Sequence, residues 1–463
     1  MQNQITEKMI QERIYNQFIK ATNQRKNLIG IEIEMPLLNM NKKAVNFNLI
    51  HKITKEFQKE HSDFQDTQVD YDGNIYALKN NKTRDILCYD CSYNNIEFAM
   101  GPEADLHTIN DRFEKYYTFI KQALEKENHT ITGMGINPYR KYNNQEPIPS
   151  ERYMMLYHHL QSYKNYTDNP IQFHKYPSYG MFSSASQVQL DVHTDDLIDT
   201  INTFSKIEPY KALIFSNSLL TEENHDIICY RDILWEYSTH GINPRNIGMY
   251  DTQLSDISDL ITYLQSLNMY CVMRNNSYIN FPSVSLYDYY MDKTITGEKY
   301  NDGHYEKIDI TPSIDDIKYL RPFKFINLTS RGTVEFRSVC TQPAKDSMTV
   351  AAFHLGLKEN MNNLKQLIED QSETYTNEYT PTQLRKLLIQ SEIPEYLDKN
   401  QLYEFTNKIV NVASDGLKQR GIGEEKFLKP LYERIKKQTN PAKDILNSLN
   451  NNRTMEELIK EYG

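Results

Sequence analysis

Four stretches of the chain alternate apolar and polar residues with the period of a β-strand, and their polar positions carry carboxylates or amides. In Leu28-Ile29-Gly30-Ile31-Glu32-Ile33-Glu34-Met35, the residues Ile29, Ile31, Ile33 and Met35 take one face and Glu32 and Glu34 the other. The same reading sets Glu97 against Ile96 and Phe98, and Gln187, Gln189, Asp191 and His193 against Val188, Leu190 and Val192. It also sets Thr333, Glu335 and Arg337 against Val334 and Phe336. Glutamate is depleted in strands, and two on one face repel. No Lys or Arg lies within the first three stretches. A divalent ion is the simplest relief, and oxygen-rich donor sets suit Mg²⁺. Solvated outer sheet faces alternate in the same way, but they mix in Thr, Lys and Ser. Taken together, the four read as the floor of a site.

Helical spacing predicts an amphipathic helix within residues 1–25, from Met9, Ile10, Ile14, Tyr15, Phe18 and Ile19. Further helices are expected over Asn46–Lys59, Leu106–Glu125 and Thr194–Ser205, the last capped by Thr194 with acids in its first turn. Ile207–Ser218 continues with a helical pattern, and Ser347–Ile368 reads as one long helix behind the Glu335 strand. Asp288–Asp315 is polar and aperiodic, and is expected to be an insertion loop over the site. From Thr380 onward, Leu/Ile-rich helical stretches alternate with Pro and Asn breaks. This order implies an α+β fold with an antiparallel sheet. It divides the chain into a catalytic part, 1–360, and a helical C-terminal part, 361–463, packed on it.

At 463 residues and a net charge of −10, with no basic block, the chain has no footprint for nucleic acid. No apolar run reaches the ~18–20 residues of a membrane span, and the N-terminal residues lack a signal peptide's basic and apolar regions. A soluble cytoplasmic protein, monomeric or homodimeric, is expected. Cys88-Tyr89-Asp90-Cys91 is a CxxC without a second CxxC or a paired His, so reduced thiols are expected rather than zinc. His51, His61, His107, His158, His159 and His174 have no zinc-like spacing, and no GxGxxG before a helix, Walker A loop or GxSxG occurs.

Gly30-Ile31-Glu32-Ile33-Glu34 resembles the opening strand of the glutamate–cysteine ligase family, relatives of glutamine synthetase. Matches follow in order: Asn95-Ile96-Glu97-Phe98 preceded by Asp90, then Gly133-Met134-Gly135-Ile136-Asn137-Pro138, then Arg152-Tyr153-Met154. After these come Ala185-Ser186-Gln187-Val188-Gln189-Leu190-Asp191, Asn217-Ser218, Tyr230-Arg231-Asp232-Ile233-Leu234-Trp235 and Thr333-Val334-Glu335-Phe336-Arg337-Ser338. The resemblance spans roughly residues 28–357. It is closest to the plant-type branch, with Gln at 187 where the enterobacterial branch has His.

The resemblance implies a glutamine-synthetase-like antiparallel half-barrel covered by helices, and an ATP-dependent ligase. Its substrates would be glutamate, ATP and an amine, cysteine in the family. Glu32, Glu34, Asp90, Glu97, Gln187 and Glu335 would hold two or three Mg²⁺ ions, or Mn²⁺. Arg337, with Glu335, would act on the transferring phosphate, unless it forms only a cross-strand salt bridge. Arg231 and, less specifically, Arg152 would clamp a substrate carboxylate, which suits a bidentate guanidinium. Gln189 and Asn217 would position substrate or a metal-bound water, and Trp235 is either a pocket wall or core. Two rivals stand beside this reading: a ligase of the same fold with another amine, and a non-catalytic nucleotide-binding relative.

Overall fold

The structure, a computed structural model, describes residues 5–23, 26–167, 171–223, 225–301, 303–370 and 378–463. Its centre is a sheet whose strands run in the order β14-β15-β7-β1-β5-β4-β3-β2, with β6 pairing the far end of β1. These strands are β1 (Ile29–Asn39), β2 (Phe64–Val69), β3 (Ile75–Asn80), β4 (Ile86–Tyr89), β5 (Asn95–Glu103), β6 (His129–Ile131), β7 (Ser186–Asp191), β14 (Ile326–Leu328) and β15 (Thr333–Phe336). Every pairing is antiparallel. A two-residue parallel pair joins β8 (Ile247–Gly248) to β13 (Phe323–Lys324). A second sheet is built from β9 (Asn268–Arg274), β10 (Ser277–Ser285), β11 (Ile295–Asn301) and β12 (His304–Ile310). The fold is α+β with an antiparallel sheet, as its alternating stretches imply.

The apolar face of the large sheet is the core. Ile29, Ile31, Ile33 and Met35 are buried there, and helices close over them. The Leu106–Glu125 helix turns Leu106, Ile109, Phe113 and Tyr117 inward, and Phe113 meets Phe98 of β5 with ring centroids 5.4 Å apart. Asp105 caps it by accepting a hydrogen bond from the Thr108 amide at 2.8 Å. The Phe47–Glu60 helix is capped by Asn46. Beneath β15, Phe336 packs on Phe204 (4.5 Å) and on His354 (4.5 Å), so the helices carrying those residues back the Glu335 strand. With helices on this face, the carboxylates of the same strands are turned to the other.

Several boundaries depart from the periodicity. Thr194–Ser205 and Ile207–Ser218 are not two helices: one helix runs Thr194–Phe215 straight through Pro209. Its C-terminal half is almost wholly buried, and that packing outweighs the backbone bond a proline removes. Its cap is His193, whose ring accepts from the Asp195 amide at 3.3 Å, while the Thr194 hydroxyl is engaged with Thr22 and Asn23. The N-terminal segment is α-helical over Glu7–Ile14, widens to a π-helical turn over Tyr15–Ile19 and tightens to a 3-10 turn over Lys20–Asn23; residues 1–4, 24 and 25 lie outside the described set. The expected helix over 347–368 breaks at Asn360 into Thr349–Glu359 and Met361–Asp370.

Asp288–Asp315 is not a loop. It contains the β11–β12 hairpin, in which Glu298 faces Lys307 and Lys299 faces Glu306. Opposite charges directly across a ladder stabilise such a pair, and Gly303 takes the turn at φ +89°. The hairpin is pinned by Tyr305, stacked on His158 at 3.6 Å.

The C-terminal part is helical as expected: Pro381–Leu388, Lys399–Arg420, Lys429–Lys437, Pro441–Asn450 and Met455–Tyr462. The long helix crosses Thr349–Glu359 at Gly356 and Gly416. A Cβ on Gly416 would come within 2.0 Å of the Gly356 carbonyl oxygen, so only glycine permits this approach. Among the described residues no helix is long and apolar enough to cross a membrane.

Candidate active site

Strand register assembles the site. Glu34 of β1 stands directly opposite Glu97 of β5, Glu32 opposite Gln187 of β7, and Gln189 opposite Glu335 of β15. Arg337 follows β15 and extends its ladder by donating its amide to the Phe325 carbonyl at 2.9 Å. Asp90 arrives from the turn after β4, where Cys91 adopts the left-handed conformation (φ +59°). Glu34, Asp90 and Glu97 each offer an oxygen, all within 4.8 Å of one another.

Amides stitch the carboxylates together. Gln187 donates to Glu34 Oε1 at 2.8 Å, and the Ala185 amide donates to Glu34 Oε2 at 2.7 Å. Gln189 donates to Glu32 at 2.8 Å and to Glu335 at 3.0 Å, and its own oxygen accepts from Arg331 at 2.7 Å. Arg337 lies 3.3 Å from Glu335, and Asn327 donates to the same oxygen at 3.3 Å.

Charge is not balanced. Burial, then the neighbouring Glu335, pushes Glu32 up to about 7, with Arg337 and Arg331 opposing. Burial, then Asp90, pushes Glu34 up to about 8. Glu97 is raised well above the carboxylate range by burial and by Glu32, Asp90 and Glu34. Buried like charges act in this way. Such a cluster of carboxylate oxygens is the donor chemistry that a hard divalent ion takes.

Above this floor is a cavity of about 420 Å³. Of the residues singled out from the sequence, Glu34, Asp90, Gln187, Glu335, Arg337, Arg231, Arg152 and Trp235 line it. Glu32, Glu97 and Gln189 lie in the strands beneath. Arg231 is buried and spends one nitrogen on the Ser338 carbonyl at 3.5 Å. Its Nε has no partner among the described residues. Arg152, on the Glu151–Gln161 helix, keeps its side chain open to the cavity.

Asn217 does not join the cavity. Its amide donates to the carbonyls of Gly133 (2.6 Å) and Thr341 (2.7 Å), so it clamps two chain segments together instead of meeting a substrate. The amide group of Gln189 is likewise committed to protein partners.

No protein-family model matches the chain. The chloroplastic glutamate–cysteine ligase A of Oryza sativa subsp. indica is 23% identical over 359 residues, covering 76% of this chain and 67% of that protein. The enzyme of Brassica juncea is 21% identical over 367 residues (76% and 65%), and that of Solanum lycopersicum 23% over 363 residues (76% and 63%). The chain is similar to the plant glutamate–cysteine ligases. It matches about two thirds of their length. Among solved structures, the glutamate–cysteine ligase of Francisella tularensis in complex with AMP superposes with a TM-score of 0.45 at 11% identity, covering 95% of this chain and 88% of that one. A bifunctional glutathione synthetase from Pasteurella multocida gives 0.38 at 11% identity, covering 99% and 53%.

Several cavity residues escaped the reading of the sequence. Phe323 stacks on Trp235 at 4.2 Å, carries the Arg337 guanidinium 5.3 Å from its ring and touches His240 at 4.0 Å. His240 in turn lies near His159 (4.8 Å) and Tyr270 (5.5 Å). Its ring is held well below the usual histidine range by burial, then by His159 and Arg337, so this aromatic wall is uncharged. One signal was available: Arg321, Phe323, Phe325 and Asn327 alternate along an extended segment and all line the cavity. Asp232 also lines it and is neutralised from the C-terminal part by Arg385, at 2.7 and 3.2 Å. All five cysteines are free, with Cys88 half-buried and Cys91 buried.

Proposed function

We propose that the chain is an ATP- and divalent-metal-dependent carboxylate–amine ligase that joins the γ-carboxylate of glutamate to the amine of cysteine. The observation that carries the reading is the carboxylate floor shared by β1, β5, β7 and β15, with Arg337 and Arg231 in the cavity above it. The likeness to plant glutamate–cysteine ligases over 76% of the chain supports it. A glutamine-synthetase-like half-barrel is the matching fold reading. In it residues 1–360 carry the chemistry and 361–463 brace it through Arg385.

A carboxylate is a poor electrophile. Transfer of the ATP γ-phosphoryl group to it gives an acyl phosphate; the amine then forms the C–N bond as the C–O bond to phosphate breaks and the amine proton departs. Glu34, Asp90 and Glu97, with Glu32, Gln187 and Glu335, would hold the divalent ions. When bound, such ions neutralise phosphate charge and polarise its oxygens. Arg337 supplies a guanidinium to the phosphoryl oxygens, and Arg231 takes the glutamate α-carboxylate through its free donors. The buried floor and aromatic wall keep water from the acyl phosphate.

The test is ATP, glutamate and Mg²⁺ with hydroxylamine, scoring γ-glutamyl hydroxamate, followed by mass spectrometry against a panel of amines. A chain that binds nucleotide but forms neither hydroxamate nor amide is the non-catalytic relative instead.

A further inference from the structure

Arg231 keeps donors for a ligand because its neighbour in sequence is engaged elsewhere. Arg231 and Asp232 both open from the Tyr230–Glu236 helix onto the cavity, yet among the described residues no carboxylate pairs with Arg231. Asp232 is held from behind. Arg385, on the Pro381–Leu388 helix, donates Nε to one of its oxygens at 2.7 Å and Nη2 to the other at 3.2 Å. A two-pronged fork of this kind holds a carboxylate in one orientation as well as neutralising it.

Arg385 is itself buried, and its Nη1 donates to the Glu208 carbonyl at 2.8 Å and to Glu208 Oε2 at 3.3 Å. Glu208 does not depend on it, because the buried Lys211 ammonium donates to Glu208 Oε1 at 2.6 Å. Asp232 has no second cation among the described residues. The backbone repeats the attachment: the Ile228 amide donates to the Ile389 carbonyl and the Ser391 amide to the Asp226 carbonyl, each at 2.8 Å. Lys386 pairs with Glu236 at the other end of the Arg231 helix. The segment that presents Arg231 is thus seated on residues 385–391, beyond the 28–357 stretch that carries the motifs.

We propose that Arg385 is a positioning residue of the reaction: by closing both oxygens of Asp232 from behind, it leaves the Arg231 guanidinium unopposed for a substrate carboxylate. This inference rests on the ligase reading and extends the site into the C-terminal part. Without Arg385 the Asp232 carboxylate would stand unpaired at the wall of a cavity that takes anions. A partly buried charge is weakly screened, so it would repel an incoming carboxylate and compete with it for Arg231.

The experiment measures KM for glutamate and kcat in the hydroxamate assay for wild type, Arg385→Gln, Arg385→Lys and the double variant Arg385→Gln/Asp232→Asn. Lys386→Gln, which breaks an exposed pair on the same helix, is the control. Arg385→Gln should raise KM for glutamate by about tenfold or more, with kcat changed far less. Adding Asp232→Asn removes the unpaired charge and should recover most of that loss, a rescue that a merely structural role for Arg385 does not give. Arg385→Lys keeps the charge without the fork and should fall between. An unchanged KM in Arg385→Gln, or a double variant no better than the single one, overturns the inference alone. So does an equal rise in KM from Lys386→Gln, since attachment of the helix would then account for the effect. Should thermal unfolding show that Arg385→Gln does not fold, Arg385→Lys takes its place, and a wild-type KM there overturns the inference. A wild type that forms no hydroxamate overturns the ligase reading and this inference with it.

Discussion

Glu34 and Glu97 face each other across the β1–β5 ladder, a buried and a half-buried carboxylate on adjacent strands at positions where an opposite charge would ordinarily be favoured. Asp90 adds a third oxygen to the same group. The strain of this arrangement is electrostatic, and it has measurable consequences.

The metal-free protein should lose stability as pH rises. Glu34 sits at about 8 and Glu32 at about 7 in the fold, against about 4.3 for an unfolded glutamate. Between those values the native state holds protons that the unfolded chain has released, so the contribution is full below about pH 4.5 and fades through about pH 8. Lys324 works in the opposite sense: burial depresses it to about 7, so its contribution improves as pH rises from there. The difference between wild type and Glu34→Gln isolates the carboxylate. Urea midpoints from pH 5 to 9 in chelator should fall more steeply for wild type, and equal slopes would count against the charged floor. Metal binding at pH 7 should release protons, measured by calorimetry in buffers of different ionisation enthalpy.

Glu34→Gln and Glu97→Gln each keep shape and remove an ionisable carboxylate. Removing one member of a like-charged cluster should leave the metal-free fold as stable or more so. Activity should fall by at least about 10²-fold, the upper end of the cost for merely outer-shell changes at metal sites. Turnover near the wild-type rate in either variant, at saturating Mg²⁺, would dismiss the metal floor.

Period-two alternation fixed in advance which faces of β1, β5, β7 and β15 carry Glu32, Glu34, Glu97, Gln187 and Glu335, because strand geometry leaves a side chain only two directions. Strand order is not written in that pattern. That Glu34 meets Glu97 follows from long-range pairing, and only the pairing separates the committed amides of Gln189 and Asn217 from the open donors of Arg231. The aromatic wall beyond Trp235 follows from the same long-range packing: Trp235 and His240, Tyr270, and Phe323 come from three separated parts of the chain. The β11–β12 hairpin was legible and overlooked. A glycine, Gly303, between stretches of oppositely charged partners is a turn signal, hidden by the few apolar residues of an exposed ribbon.

Lys324→Met should destabilise the fold. The ammonium donates to the carbonyls of Arg245, Ile247 and Met249 and to the Tyr263 hydroxyl, and it is almost fully buried. Methionine fills the space but leaves those carbonyls unpaired, at a cost of about 3 kcal/mol. Denaturant titration at pH 6, below the value of about 7 to which burial depresses Lys324, checks this; an unchanged midpoint would mean that water replaces the ammonium.

Cys88 and Cys91 should be dispensable. Burial holds both thiols up, reinforced by Glu97 for Cys88 and by Asp90 for Cys91, so neither is a ready thiolate. The double change to Ser is expected to leave the rate within a few-fold, about the size of ordinary surface effects. A loss of orders of magnitude under reducing conditions would give the pair a role in the site.

Arg337 is expected to act on the transition state more than on ATP binding. Its guanidinium rests 3.3 Å from Glu335 and over the Phe323 ring, partly open to the cavity. Phosphate oxygens brought to Glu335 by an ion would meet that guanidinium directly. Charge on those oxygens shifts as the phosphoryl group passes to the carboxylate, and a preorganised cation aimed there contributes about 3–4 kcal/mol. Lysine keeps the charge but loses the planar fork and the stacking on Phe323. Both Arg337→Ala and Arg337→Lys should therefore lower kcat by about 10²-fold or more, with KM for ATP changed far less. A phosphorylated sulfoximine, which mimics the transition state, should lose affinity in parallel with kcat. Normal kcat with only a raised KM for ATP in Arg337→Ala would make the residue a ground-state anchor, and its pairing with Glu335 an ordinary salt bridge.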